Sequence, residues 1–174
     1  MKIAVIGYSG AGKSTLARTL GEKYGLEVLH MDAVHHLPGW VERDAESEKA
    51  ILTEFLDTHE NWVIDGNYSG VCFQRRVEEA DLVVMLLFNR IASLTRVVKR
   101  YWTYKGKNRP DMAQGCDEKL DGEFIRWVLW DGRSGRKREY YRRLQAQYPG
   151  KTVVLKTQGQ IDRFLRTLEK KPLL

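Results

Sequence analysis

Cysteine is scarce in this chain: two residues among 174, Cys72 and Cys116, with no CxxC pairing. So few thiols exclude a disulfide-stapled scaffold, and the spacing supplies no metal knuckle. Reduced cytoplasmic thiols are the simplest expectation. Proline is also sparse, with four residues, and no repeat or low-complexity tract occurs. A collagen-like or disordered chain is thereby excluded. Long apolar runs are missing. The longest uncharged one, Leu82–Phe88, falls far short of the roughly 20 residues of a membrane span. The opening Met1–Gly7 is too short for a signal-peptide core and meets no cleavage pattern. No membrane association is expected.

What is present is 43% hydrophobic and 30% charged residues, over a length that suits one domain spanning 1–174. Charge is unevenly spread. Residues 1–87 carry 8 Lys and Arg against 14 Asp and Glu, whereas residues 88–174 carry 21 against 9. A basic half of this kind is either a solvated surface or a field that attracts a polyanion, and charge alone does not choose.

Apolar runs and helical spacings alternate along the chain. Lys2–Ile6 reads as a strand buried on both faces, and Lys13–Tyr24 as a helix ended by Gly25. Leu26–Leu29, Trp62–Ile64, Asp81–Phe88 and Thr152–Leu155 read as further strands. Asp44 can cap a helix running to about His59. Ile91–Tyr101 has Ile91, Leu94, Val97, Val98 and Tyr101 at inward spacing, and Ile161–Leu168 closes the chain. This alternation predicts an α/β class: a three-layer domain with a five-stranded parallel sheet. Residues 104–150 break the rhythm. They are expected to form an arginine-rich helical insertion, with Leu120, Phe124, Trp127 and Val128 on one helix and Tyr140, Tyr141 and Leu144 on the next.

Gly7-Tyr8-Ser9-Gly10-Ala11-Gly12-Lys13-Ser14, followed by Thr15, fits GxxxxGK[ST] between a strand and a helix. Glycines there let backbone N–H groups approach phosphate oxygens, and the helix N-terminus adds a positive dipole end. Lys13 then meets the β- and γ-phosphates, and the Ser14 hydroxyl ligates Mg²⁺. Gly7, Ser9, Gly10, Ala11, Gly12, Lys13, Ser14 and Thr15 are the expected cradle for ATP. Asp65 ends an apolar strand, at the sheet edge where open α/β sites lie, and is the candidate second holder of Mg²⁺.

These residues resemble the adenylate-kinase-like class of P-loop kinases. The resemblance implies sheet order 2-3-1-4-5 and an Asp65 that holds Mg²⁺ through water. It also implies that Arg96 and Arg100, four apart, contact nucleotide phosphates and base, and that Arg133, Arg136 and Arg138 are lid arginines that close on the phosphates. Leu29–Asp32, Leu37–Trp40, Asp65–Tyr68, Arg109–Cys116 and Phe124–Arg133 are similar end to end to bacterial P-loop proteins labelled DNA topology modulation proteins (FlaR-related). The adenylate kinases' arginines after the Asp-Gly and in the acceptor helix have no counterpart here; Asn67, Tyr68 and Ser69 fill the first stretch, and Arg75 or Arg76 are the candidate substitutes. The lid also lacks the cysteines of zinc-stapled relatives.

In related kinases a carboxylate at Asp32 faces a hydroxyl acceptor and takes its proton. His30, His35 and His36 lack a fourth ligand at recognisable spacing. Trp40 and Tyr68 read as pocket wall or core. Trp102, Tyr104, Trp127, Trp130, Tyr140 and Tyr141 interleave with arginines but fall mostly on inward helical faces, so core packing is expected over nucleic-acid stacking. The leading expectation is a cytoplasmic ATP- and Mg²⁺-dependent phosphotransferase acting on an unidentified small molecule. Lys13, Asp32, Arg96, Arg100, Arg133 and Arg136 carry its chemistry. A DNA-associated P-loop ATPase and a nucleotide-binding regulatory module without turnover stay open.

Overall fold

The computed structural model describes residues 1–170. Chain order is β1 (Lys2–Gly7), α1 (Lys13–Tyr24), β2 (Glu27–His30), α2 (Met31–His35), β3 (His36–Leu37), β4 (Val41–Glu42), α3 (Ala45–Thr58) and β5 (Trp62–Asp65). It continues with α4 (Phe73–Glu79), β6 (Leu82–Leu86), α5 (Arg90–Tyr104), α6 (Gly122–Leu129), a 3-10 turn (Asp131–Arg133), α7 (Gly135–Gln147), β7 (Thr152–Leu155) and α8 (Gln158–Lys170).

Strands that are apolar at every position bury both faces, which requires a helical layer on each side. Five parallel strands meet that demand in the order β2-β5-β1-β6-β7. With the two-residue hairpin strands β3 and β4 set aside, this is the expected 2-3-1-4-5 arrangement. Side chains alternate across the sheet. Ile3, Val5, Val63 and Val84 pack on Leu16 and Leu20 of α1 and on Ile161 and Leu168 of α8. Ala4, Ile6, Ile64 and Met85 pack on Leu52 and Leu56 of α3, Val77 of α4, and Tyr141 and Leu144 of α7. Each fully buried branched side chain contributes about 1.5–3 kcal/mol.

Short polar side chains start the helices. Asp44 accepts from Ser47 N at 2.9 Å, Asn89 from Ala92 N at 2.8 Å, and Asp121 from Phe124 N at 2.8 Å. The sheet order makes β1 central: the chain passes from it to β2 and β5 on one side and then crosses to β6 and β7 on the other. The carboxyl end of β1 is therefore a switch point, and register places Asp65 beside Val5 and Gly7 beside Leu86 there.

Several expectations change. Ile91 is 74% exposed, because α5 starts at Arg90 and turns its first residues outward, burying Ser93 and Val97 instead. Leu120 precedes α6, and residues 105–121 are irregular rather than helical. Gly106, Pro110 and Gly115 break that stretch, yet it buries Arg109, Met112, Cys116 and Glu118. Trp102, Trp127, Trp130 and Tyr140 face outward instead of into the core. The short elements α2, β3, β4 and α4 lack enough periods to be read from spacing.

Candidate active site

The glycine-rich turn between β1 and α1 is shaped by close approach. Gly10 (φ 74°) lies so near α5 that a Cβ would sit 2.7 Å from the Ser93 carbonyl oxygen. Gly12 (φ 94°) occupies the left-handed N-cap of α1, and a Cβ there would come within 2.9 Å of Arg96 Nη1. Only glycine accepts both conformation and contact. Asn67 clasps the base of the turn, accepting from Gly7 N at 3.0 Å and donating to Gly7 O at 2.8 Å. Lys13 and Ser14 open α1, and Lys13 Nζ donates back to Tyr8 O at 3.3 Å.

Parallel pairing of β1 with β5 delivers Asp65 to the same spot, 4% exposed. Ser14 Oγ donates to Asp65 Oδ2 at 2.8 Å, and the other carboxylate oxygen meets His30 Nδ1. Burial disfavours the His30 cation, but the bond and charge of Asp65 outweigh it and raise its pKa. A hydroxyl and a carboxylate side by side at this glycine-rich turn are hard oxygen donors of the kind that suit Mg²⁺. Among the described residues, no cluster of three His, Cys, Asp or Glu forms a separate metal site.

Above this floor is a cavity of about 1080 Å³. Its turn side is lined by Ser9, Gly10, Gly12, Lys13, Ser14 and Thr15; Gly7 ends its strand and Ala11 is fully buried in the core. Asp32, in the first turn of α2 just after β2, lines the opposite side and accepts from the Tyr68 hydroxyl at 2.7 Å. Burial, with the charge of Asp32, pushes the Tyr68 hydroxyl pKa far up, so the phenol stays a donor. His35 lies 4.8 Å from Tyr68 and 4.8 Å from His36, which lies 5.2 Å from Trp40, making an aromatic wall. Trp40 (φ 65°) and Tyr68 (φ 25°) are non-glycine residues in left-handed backbone, a strain that accumulates at functional sites.

Cations converge on the turn. Burial lowers the Lys13 pKa, Arg100 and Arg109 lower it further, and Asp32 and Asp65 oppose them. Burial also lowers Lys137, with Lys13 as a second cause. Lys137 Nζ stacks 4.4 Å over the Trp127 ring, whose Nε1 donates to Ser9 Oγ at 3.0 Å, so α6 and α7 cover the turn. Arg96 lines the cavity beside Gly12, stacked 4.4 Å on Phe88 and donating to Gln158. Arg100 Nε donates to Glu118 Oε1 at 2.7 Å, and Arg109 Nε lies 3.2 Å from Glu118 Oε2.

The structure separates the remaining expected arginines from this cluster. Arg133 is 6% exposed and spends its donors on Val128 O, Phe88 O and Ser93 Oγ, away from the large cavity. Arg136 is exposed and is not among the cavity residues. The cause is local: the 3-10 turn before α7 points Arg133 inward beneath α5 and leaves Arg136 on the first turn of α7 facing solvent. Neither Arg75 nor Arg76 reaches the acceptor side. Arg75 pairs with Asp57 and Glu79, and Arg76 is 1% exposed, donating to the carbonyls of Gly66, Asn67 and Tyr68. No role was expected for Arg109, Glu118 or Lys137, and Trp127 was expected on an inward helix face rather than over the turn. For Arg109, the Arg109–Cys116 motif was the available signal.

No family model matches the chain, and no curated protein matches it in sequence. Among solved structures it resembles deoxyadenosine kinase from M. mycoides with bound dATP. The TM-score is 0.58 at 18% identity, covering 97% of this chain and 100% of that one. It also resembles shikimate kinase from Acinetobacter baumannii in complex with shikimate. That TM-score is 0.58 at 20% identity, covering 99% of this chain and 95% of that one. At such identities the likeness is one of fold: the chain has a P-loop kinase-like α/β fold.

Proposed function

We propose that this protein is an ATP-dependent phosphotransferase that phosphorylates a hydroxyl group on a small molecule. One observation carries the reading. A GxxxxGK[ST] turn and a strand-end carboxylate, joined through Ser14 and Asp65, share one cavity with a second carboxylate, Asp32. The fold shared with a nucleoside kinase and a shikimate kinase supports it. The 104–150 stretch acts as a lid on a single P-loop domain, with Trp127 and Lys137 resting over the turn.

Phosphoryl transfer needs positioning and charge more than covalent help. The turn's amides and Lys13 hold the β- and γ-phosphates, and Lys137, Arg96 and Arg100 add cations around them. Ser14 and Asp65 would hold Mg²⁺, which supplies charge neutralisation on the phosphates when bound. Asp32 accepts the proton as the acceptor oxygen bonds to the γ-phosphorus and the bond from that phosphorus to the β-bridging oxygen breaks. Tyr68 fixes the Asp32 carboxylate by its 2.7 Å bond. Lid closure keeps water from competing as acceptor. The two free thiols, Cys72 and Cys116, suit a cytoplasmic setting, and no described helix is long and apolar enough to cross a membrane.

The test is a screen of nucleosides, sugars and hydroxy acids for acceptor-dependent ADP release, run with wild type and Lys13→Ala. Turnover should fall by about 10³ or more in the variant. Acceptor-independent activity, or full activity in the variant, contradicts the assignment. One observation favours a second reading, DNA association: Trp102 is 68% exposed, and Lys105 stacks on both Tyr101 and Trp102. A DNA affinity whose log–log salt slope is about −0.9 per phosphate contacted would support it.

A further inference from the structure

The irregular segment between α5 and α6 puts a buried cation in the cavity with part of its hydrogen-bonding capacity unspent. Arg109 is 5% exposed and lines the cavity, and neither its Nε nor its Nη1 has a hydrogen-bond partner. Its other contacts are carboxylates: Glu118 Oε2 at 3.2 Å from Nε, and Asp111 Oδ2 at 3.8 Å from Nη2. Glu118, 8% exposed, is itself shared with Arg100, 2.6 Å from Arg100 Nη2. Two guanidiniums therefore divide one buried carboxylate. Lys13 is near enough for both to act on its charge. A buried N–H without a partner costs roughly 1–3 kcal/mol or more when charged, so such a group is normally met by another protein group, a water or a bound ion. The unspent donor calls for an oxyanion, which guanidinium recognises through its planar fork.

The same segment is fastened to the acceptor side. Gly39 N donates to Gly115 O at 3.1 Å, Cys116 Sγ to Leu37 O at 3.3 Å, and Trp40 Nε1 to Asp117 O at 3.0 Å. Lys119 Nζ stacks 5.2 Å over Trp40. Arg109 is thus carried on the same unit as the β3–β4 hairpin, which borders the aromatic wall and Asp32. Meanwhile Arg43 and Arg75 are committed to Val34 O and to surface carboxylates, Arg76 donates to the 66–68 carbonyls, and Arg18 lines the cavity from α1, one turn after Ser14, on the side of the glycine-rich turn.

We infer that Arg109 binds an anionic group of the acceptor, so that the substrate is an alcohol that also carries a phosphate or carboxylate. Asp32 takes the hydroxyl and Arg109 the anion, with Glu118 holding the guanidinium in place. The inference rests on the kinase reading above and deepens it.

The test uses the full chain as wild type, Arg109→Met and Arg109→Lys, each checked by thermal melting. The proteins are first titrated calorimetrically with MgATP and MgADP. Each is then saturated with magnesium and β,γ-imido-ATP, which fills the γ-phosphate position, and titrated with inorganic phosphate and, separately, acetate. The expected result is that one of these anions binds wild type and weakens about tenfold or more in Arg109→Met. Arg109→Lys should keep part of the affinity, and ATP and ADP should be unchanged throughout. Three results overturn the inference: neither anion binds the saturated wild type, the anion binds both proteins equally, or Arg109→Met weakens ATP but not ADP. The last would give the site to the donor's γ-phosphate. If wild type binds no nucleotide, the kinase reading fails, and phosphate and acetate titrated into the nucleotide-free proteins still decide Arg109.

Discussion

Arg133 offers a direct contrast between a catalytic and a structural arginine, because its motif context and its burial point in opposite directions. In the structure its guanidinium donates to Val128 O at 2.7 Å, Phe88 O at 2.6 Å and Ser93 Oγ at 2.6 Å, with its carbon 4.2 Å over the Tyr8 ring. These contacts tie the 3-10 turn, the end of α6 and the start of α5 to the strand-β6 exit. Each bond to a charged donor contributes about 1.5–3 kcal/mol. Part of that sum offsets the cost of burying the cation. Arg133→Met, which keeps the stem and removes the donors, should therefore destabilise by about 3–5 kcal/mol. For a domain this size, about 2–4 °C per kcal/mol corresponds to a melting temperature lower by about 10 °C. The assay is thermal unfolding by circular dichroism beside MgADP titration at a temperature where the variant stays folded. The variant should melt early and bind MgADP within about threefold of wild type, about 0.6 kcal/mol. A variant that melts with wild type but loses MgADP affinity would refute the structural assignment and restore Arg133 to the phosphate site.

Asp32→Asn removes the proton acceptor while keeping a partner for the Tyr68 hydroxyl. Acceptor-dependent turnover should fall by about 10²–10⁴ with little change in MgATP affinity, and an unchanged rate would remove Asp32 from the chemistry. Asp44 is held below the ordinary carboxylate range, chiefly by the Ser47 backbone N–H, with the Ser47 side chain next. A carboxylate with a depressed folded pKa stabilises above its unfolded value near 3.9, and that stability disappears as pH falls through the folded value. Asp44→Ala should lower the melting temperature at neutral pH, and the gap should close on acidification below that range. A gap that does not depend on pH would rule out a charged cap.

How much was legible in the sequence depends on how local the determining physics is. The glycine-rich turn is a backbone device set by consecutive residues, so Gly7–Ser14 announced its place between β1 and α1. Strands apolar at every position announced a parallel sheet covered on both faces, and Asp65 could be placed because it ends such a strand. Residues 105–121 could not be read the same way. They have no period, and what holds two of their buried residues lies in other elements: Cys116 Sγ donates to Leu37 O, and Glu118 pairs with Arg100 of α5. Arginine identity also says nothing about direction. Arg100 and Arg133 look alike in sequence, yet one faces the cavity and the other braces the end of α6. The phase of α5 was misread at Ile91 because its buried stripe is set by Ser93 and Val97, which lie against Gly10 of the glycine-rich turn, and that phase leaves Ile91 outside.

The central claim is that the turn between β1 and α1 holds a nucleoside triphosphate. Its most direct test is calorimetric titration of the folded protein with MgATP and MgGTP, repeated on Lys13→Ala. Saturable one-site heat with at least one of the two, much weakened in the variant, is the predicted result. Well-folded wild-type protein that gives no binding heat with either nucleotide, and no other saturable signal of binding, would contradict the account.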